Sequence, residues 1–134
     1  MSAFFDTNIL IYAYSTDARR ARALNIISVG GVVSAQVLNE FTNVLRKKQK
    51  QDWPVIEAAL QSLRFRFPNI LPLTADTHAA AFTLARGHGL AFYDALILAS
   101  ATESGCDTLY SEDLQHGRSF GQLVVVNPFL ASMR

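Results

Sequence analysis

Short apolar runs alternate along this chain with longer stretches in which apolar residues recur every three or four positions. "SAFF" is a short run that stops at "DTN", which predicts a strand feeding a turn and a helix through "ILIYAYS". "DARRARALNIIS" has helical spacing, with Asp17 to open it and Gly30-Gly31 beyond its end. "VVS" predicts a second strand, and Ser34 is placed to cap the helix "AQVLNEFTNVLRKK". In that helix Val37, Leu38, Phe41, Val44 and Leu45 form one apolar stripe. Asp52 and Pro54 start a further helix, "PVIEAALQSLRFRF", and "NILPL" a third strand. Thr74 or Asp76 opens "THAAAFTLARGHG", which Gly87 and Gly89 should break. "YDALILASATESG" predicts an apolar helix ending at Gly105. "DTLYS" and "LVVVN" predict a fourth and a fifth strand, with "EDLQHGRSF" as the connection. Short strands alternating with helices predict a parallel sheet covered on both faces.

Composition narrows the class without naming a function. The chain has 134 residues, half of them hydrophobic and 17% charged, which predicts one globular domain over residues 1–134. The net charge of +1 gives no polycation, but the halves differ. Residues 1–67 hold nine Lys/Arg against five Asp/Glu, and residues 68–134 hold three against six. Cys106 is the only cysteine, which excludes an intrachain disulfide and a cysteine-based zinc cluster. The N-terminal stretch lacks a basic flank and is interrupted by Asp6, and "GLAFYDALILASA" is too short to span a bilayer. The expectation is a cytoplasmic protein with no membrane partner.

The carboxylates carry the chemistry. In a parallel sheet, ligands bind beyond the carboxyl ends of the strands. Asp6 ends the first predicted strand, Glu40 lies early in the helix after the second, Asp94 begins the helix leading to the fourth, and Asp113 follows the fourth. Two readings stand for the aspartates, because Asp6, Asp94 and Asp113 each precede an expected helix and could each be an N-cap, stabilising by about 1 kcal/mol. Glu40 is different. It lies inside a helix, about 110° from the centre of the apolar stripe, at the edge of the buried face where an unpaired carboxylate is costly, and a solvated flank is its other reading. Clustered anions repel unless a cation neutralises them. No Lys or Arg is close in sequence to Asp6, Asp94 or Asp113, so a divalent metal is the natural counter-charge. All-oxygen ligands select Mg²⁺ or Mn²⁺ over zinc.

Four stretches, "FFDTNILIYA", "SAQVLNEF", "AFYDALILASA" and "TLYSEDLQHG", resemble in order and spacing those of PIN domains, in particular VapC-like toxins of toxin–antitoxin pairs. The resemblance implies a three-layer α/β/α sandwich with a central, mainly parallel five-stranded sheet. It implies a metal-dependent endoribonuclease using one or two Mg²⁺ or Mn²⁺ ions. By motif position, Asp6, Glu40, Asp94 and Asp113 match the family's four acids, which hold metal and act in catalysis. Asn8 and Ser111 match the polar positions that support them. RNA as substrate, a homodimer and a small cognate antitoxin are the implied partners. Glu112 is set aside as a main ligand, because neighbouring side chains diverge in most backbones.

The remaining features are less specific. Arg46, Lys47 and Lys48 could hold RNA phosphates, but cations at a helix C-terminus also complement the macrodipole. His116 lies three residues past Asp113, and a surface role is expected for it. A phospho-receiver domain would need a lysine near its fifth strand, and no lysine follows Lys50. A catalytically weak PIN domain that only binds RNA or protein, and a nuclease acting on DNA, are the alternatives to the ribonuclease.

Overall fold

The structure, a computed structural model, describes residues 2–130. Strand β1 (Ala3–Phe5) leads into helix α1 (Thr7–Ala13), followed by α2 (Arg20–Ile27), β2 (Val33–Ser34) and α3 (Ala35–Asn43). A π-helical turn, Val44–Lys48, continues α3. Then come α4 (Trp53–Arg66), β3 (Ile70–Leu71), α5 (Ala75–His88), α6 (Phe92–Glu103), β4 (Thr108–Tyr110), β5 (Ser119–Phe120) and β6 (Leu123–Val126).

The result is the expected three-layer α/β/α arrangement, with one difference in strand count. β1, β4, β6 and β5 form a four-stranded sheet in that order, and β2 and β3 form a separate parallel pair. A parallel bridge between Phe4 and Val32 joins the two. The strand not anticipated is β5, inside the stretch read as a connection. It pairs antiparallel with β6 through a turn at Gly121, whose φ is +62°. Two residues are too few to show a period, and Arg118 and Ser119 gave the stretch a polar look.

Burial follows strand position. All three residues of β1 are buried, as a strand covered by helices on both faces requires. β6 instead alternates, with Leu123 and Val125 buried and Val124 exposed. Seven consecutive residues of α6, Ala95–Ala101, are buried, so this helix is apolar all round rather than amphipathic. In α3 the stripe through Val37, Leu38, Phe41 and Leu45 enters the core as its spacing predicts.

Helix ends largely obey the local signals. Ser34 accepts a hydrogen bond from the Val37 amide, and Thr74 forms a capping box with Thr77. Asp17 accepts from the Arg19 amide at 2.8 Å, one residue before α2 begins. Three expectations fail, the first being Asp94 as an N-cap, since Ala91 holds that position and Asp94 lies in the first turn of α6. α5 runs through Gly87 and stops at Gly89, whose φ of +65° provides the left-handed C-cap. Asp113 caps no helix, because residues 111–118 form an irregular loop.

Gly31 is where the two sheet segments meet. The Val32 amide donates to the Ala3 carbonyl at 2.9 Å, and the Phe5 amide donates to the Val32 carbonyl at 3.1 Å. A Cβ on Gly31 would lie 2.5 Å from the Phe5 ring and 2.6 Å from the Ala3 carbonyl oxygen. Chemical denaturation should therefore show Gly31→Ala less stable by about 1–3 kcal/mol. Gly87→Ala, at a helical site with nothing within 4 Å of the new carbon, should gain about 0.5–1 kcal/mol. Equal effects at the two positions would contradict the close approach at Gly31.

Candidate acidic active site

Strand register builds the centre of the site. Phe5 pairs with Tyr110, so the residues that follow, Asp6 and Ser111, emerge side by side. The Asp6 amide donates to the Tyr110 carbonyl at 3.0 Å, and the Ser111 amide donates to the Val126 carbonyl at 3.1 Å, extending the ladder past the strand ends. Asp6 is 3% exposed and Ser111 is fully buried. One Asp6 oxygen accepts from the Ser111 hydroxyl at 2.7 Å, and the other accepts from the Thr7 amide at 2.7 Å, at the start of α1. Asp6 is thus the N-cap of α1 as well as a member of the acidic group.

Glu40, half-buried on α3, is the second acid. Thr7 donates its hydroxyl to one Glu40 oxygen at 2.6 Å, and the Gln36 amide group donates to the other at 3.3 Å. Thr7 therefore links Asp6 and Glu40, with its backbone on one and its side chain on the other. Asp113 is exposed in the loop after β4 and accepts from the Asn8 side chain at 3.0 Å. The Asn8 oxygen accepts from the Glu112 amide at 3.2 Å, so Asn8 grips the loop at two points. Ser111 adds a third restraint by accepting from the Asp113 amide at 3.1 Å. Asp94 lies in the first turn of α6 and is half-buried.

Asp6 and Asp94 each feel the charges of Glu40 and Asp113. Burial pushes the Asp6 carboxyl up to about 7, against the pull of its two hydrogen bonds, and the charges of Asp113 and Glu40 push the same way. Asp94 is also raised, first by burial and then by Asp113 and Glu40. The site is one of accumulated negative charge at the carboxyl end of the sheet. Among the described residues, no three His, Cys, Asp or Glu side chains are drawn in closely enough to hold a single ion. Glu40 and Asp113 are instead turned to protein donors. The donor set is oxygen only, which fits a hard divalent cation such as Mg²⁺ or Mn²⁺.

Glu112 faces away from this group. Its carboxylate accepts from the Tyr12 hydroxyl and pairs with Arg19 at 3.0 Å. Arg19 also holds Asp17 at 2.8 Å and lies 4.1 Å from the centre of the Tyr12 ring. These contacts tie the loop carrying Asp113 to α1 and to the entry of α2. Sequence reasoning missed the roles of Thr7, Gln36, Tyr12 and Arg19. Gln36 alone carried a local signal, four residues before Glu40 on the same helix. His116 accepts from the Asn127 amide through Nδ1 at 3.0 Å, an exposed loop contact.

The basic run lies elsewhere. Arg46 follows Glu40 by six residues along α3 and its π-helical turn, about 9 Å down the axis. Its guanidinium donates to the Gln51 carbonyl and stacks 4.4 Å from the Trp53 ring, near the helix C-terminus. Lys47 and Lys48 are exposed beside it.

The model of the PIN domain matches residues 3–118, most of the chain and all four acids. The chain belongs to the PIN-domain family. No curated protein matches it. Among solved structures, the PIN domain is similar to a toxin–antitoxin complex from Klebsiella pneumoniae, with 24% identity and a TM-score of 0.73 over 96% of this chain and 98% of that one. It is similar to Mycobacterium tuberculosis VapC20, described as a sarcin-ricin loop cleaving toxin, with 22% identity and a TM-score of 0.66 over 84% and 90%. FitAcB from Neisseria gonorrhoeae gives 22% identity and a TM-score of 0.67 over 95% and 98%. At these identities the likeness establishes a shared fold.

The raised Asp6 carboxyl has a testable consequence. The folded state holds this proton up to about pH 7, whereas the unfolded chain releases it near 3.8. Between those values the unfolded state gains from ionising first, so folding stability falls as pH rises. In metal-free buffer, Asp6→Asn should melt close to the parent at pH 4 and clearly above it at pH 8. A melting difference that does not grow with pH would contradict the buried, repelled carboxylate.

Proposed function

We propose that this PIN domain is a divalent-metal-dependent endoribonuclease and the toxin of a toxin–antitoxin pair. The observation that carries the reading is the electrostatic union of Asp6, Glu40, Asp94 and Asp113 at one sheet end, from four distant parts of the chain. Membership of the PIN family supports it, as do folds shared with toxin structures that include one described as cleaving the sarcin-ricin loop.

In this reading Asp6, Asp94 and Asp113 would hold Mg²⁺ or Mn²⁺, one ion or two, with Glu40 binding directly or through water. The bound metal would supply Lewis acidity and a water of lowered pKa. The protein's part is positional. Ser111 and Thr7 fix the Asp6 carboxylate, so this ligand needs no reordering. Asn8 aims Asp113 and restrains its loop. Thr7 and Gln36 hold the Glu40 carboxylate, which would orient the attacking water. In-line attack on phosphorus leaves a 3′-hydroxyl and a 5′-phosphate and does not require the ribose 2′-hydroxyl.

The reading includes RNA as substrate, a homodimer and a small antitoxin. Exposed Phe82 and Tyr93, at 54% and 61%, are the kind of surface a second copy would cover. No helix among the described residues is long and apolar enough to cross a membrane.

The test is digestion of matched RNA and DNA strands with Mn²⁺, followed by end analysis. The parent should cut RNA and leave 5′-phosphates, and Asp113→Asn should lose at least about a hundred-fold in rate, as expected when a metal-holding charge is removed. Preferential cutting of DNA, or an undiminished rate in Asp113→Asn, would overturn the reading. Sedimentation of the same protein as a monomer at tens of micromolar would remove the homodimer from it.

A further inference from the structure

A groove with two arginines on its rim lies beside α1 and is not lined by any of the four acids. It has a volume of about 480 Å³ and is walled by the end of α1 (Ala13), the loop Tyr14–Thr16, the start of α2 (Arg20) and the last turns of α4 (Ser62 and Arg66). No Asp or Glu lines it.

The charges around it are unequally committed. Arg19 is engaged by two carboxylates, Asp17 and Glu112. The next residue, Arg20, donates only to the Ala13 carbonyl, at a long 3.4 Å. Among the described residues, no carboxylate pairs with Arg20 or with Arg66. The hydroxyls are also available. Tyr14 and Ser62 lie 2.7 Å apart, and either can donate to the other. Only one proton is used in that bond, so the second can go to a ligand. Two guanidiniums and a surplus hydroxyl proton make a site of donors that wants an acceptor-rich anion.

We propose that this cavity is a phosphate-binding subsite for the RNA strand, displaced along it from the acidic centre; the proposal rests on the ribonuclease reading above. Spacing suits a nucleic-acid strand. Seven residues separate Asp6 from Ala13, so the rise of α1 places the cavity about 10 Å from the acidic centre. At roughly 3.4 Å per stacked nucleotide, that is about three nucleotides. A strand with one phosphate at the acids therefore presents another at the cavity. The need is electrostatic. Four carboxylates repel a polyanion, and Arg46 is already engaged by the Gln51 carbonyl and the Trp53 ring. Arg20 and Arg66 provide attraction on the flank instead.

The experiment is fluorescence anisotropy of a labelled single-stranded RNA of roughly ten nucleotides, in EDTA so that nothing is cut, across a salt series. Arg20→Gln with Arg66→Gln should weaken binding about ten-fold at low salt. It should also lower the slope of log affinity against log salt by about 1.4, the value for two lost phosphate contacts to a single strand. Arg64→Gln, on the same helix but outside the cavity, should match the parent. Both cavity positions are exposed, so the double variant should retain the parent's melting temperature. Parent-like affinity and slope in the double variant overturn the subsite, while Mn²⁺-dependent cleavage by the parent separately upholds the ribonuclease. Weakened RNA binding in a protein that never cuts RNA keeps the phosphate site and removes the ribonuclease. If the double variant loses affinity for hexaglutamate while RNA binding is unchanged, the cavity takes peptide carboxylates and the proposal falls.

Discussion

The Asp6 carboxylate is buried where β1 ends, and the Ser111 hydroxyl across the β1–β4 register holds it there. A buried anion is costly unless hydrogen-bonded, and here the backbone supplies the geometry. Pairing of Phe5 with Tyr110 sets Asp6 beside Ser111, and Ser111 is anchored in turn on β6. Slipping that register by one residue would put Asp6 opposite a different side chain and turn Phe4 and Phe5 to the wrong faces. Fold and site thus share one constraint: the sheet that buries the phenylalanines also buries the acid.

From Asp6 the site spreads through polar side chains that each serve two elements. Thr7 reaches Asp6 by its amide and Glu40 by its hydroxyl. Asn8 reaches Asp113 by its amide nitrogen and the Glu112 backbone by its oxygen. Two neighbours in one loop then face opposite ways, Asp113 toward the acids and Glu112 toward Arg19 and Tyr12. Arg19, which reaches the same loop through Glu112, is neutralised by Asp17 and Glu112. The charges that raise Asp6 and Asp94 are those of other acids. A divalent cation is the counter-charge such a group lacks.

Much of this is legible in the sequence. Asp6, Glu40, Asp94 and Asp113 follow or precede apolar segments at positions that a parallel sheet brings to one end, and the four quoted stretches carried the family resemblance. Ser34 and Thr74 announced their helices because capping is a local interaction. The illegible parts depend on contacts distant in sequence or on elements too short to have a period. Nothing local shows that Thr7 bonds Glu40, thirty-three residues away. Glu112 could be set aside as a ligand, but its contacts with Tyr12 and Arg19 needed the fold. β5 has two residues and depends on β6 for its existence. Gly87 looked like a helix end by composition, yet the packing of α5 against α6 carries the helix past it to Gly89.

The central claim is that the acids form one electrostatic unit in which Asp6 holds a proton that a cation would displace. Calorimetric titration of Mn²⁺ at pH 7, in buffers of different ionisation heats, measures that displacement directly. With the Asp6 carboxyl near 7, roughly half a proton should leave with the first ion bound, and Asp6→Asn should abolish that release. Binding of Mn²⁺ with no proton release, or a release that persists unchanged in Asp6→Asn, would contradict it.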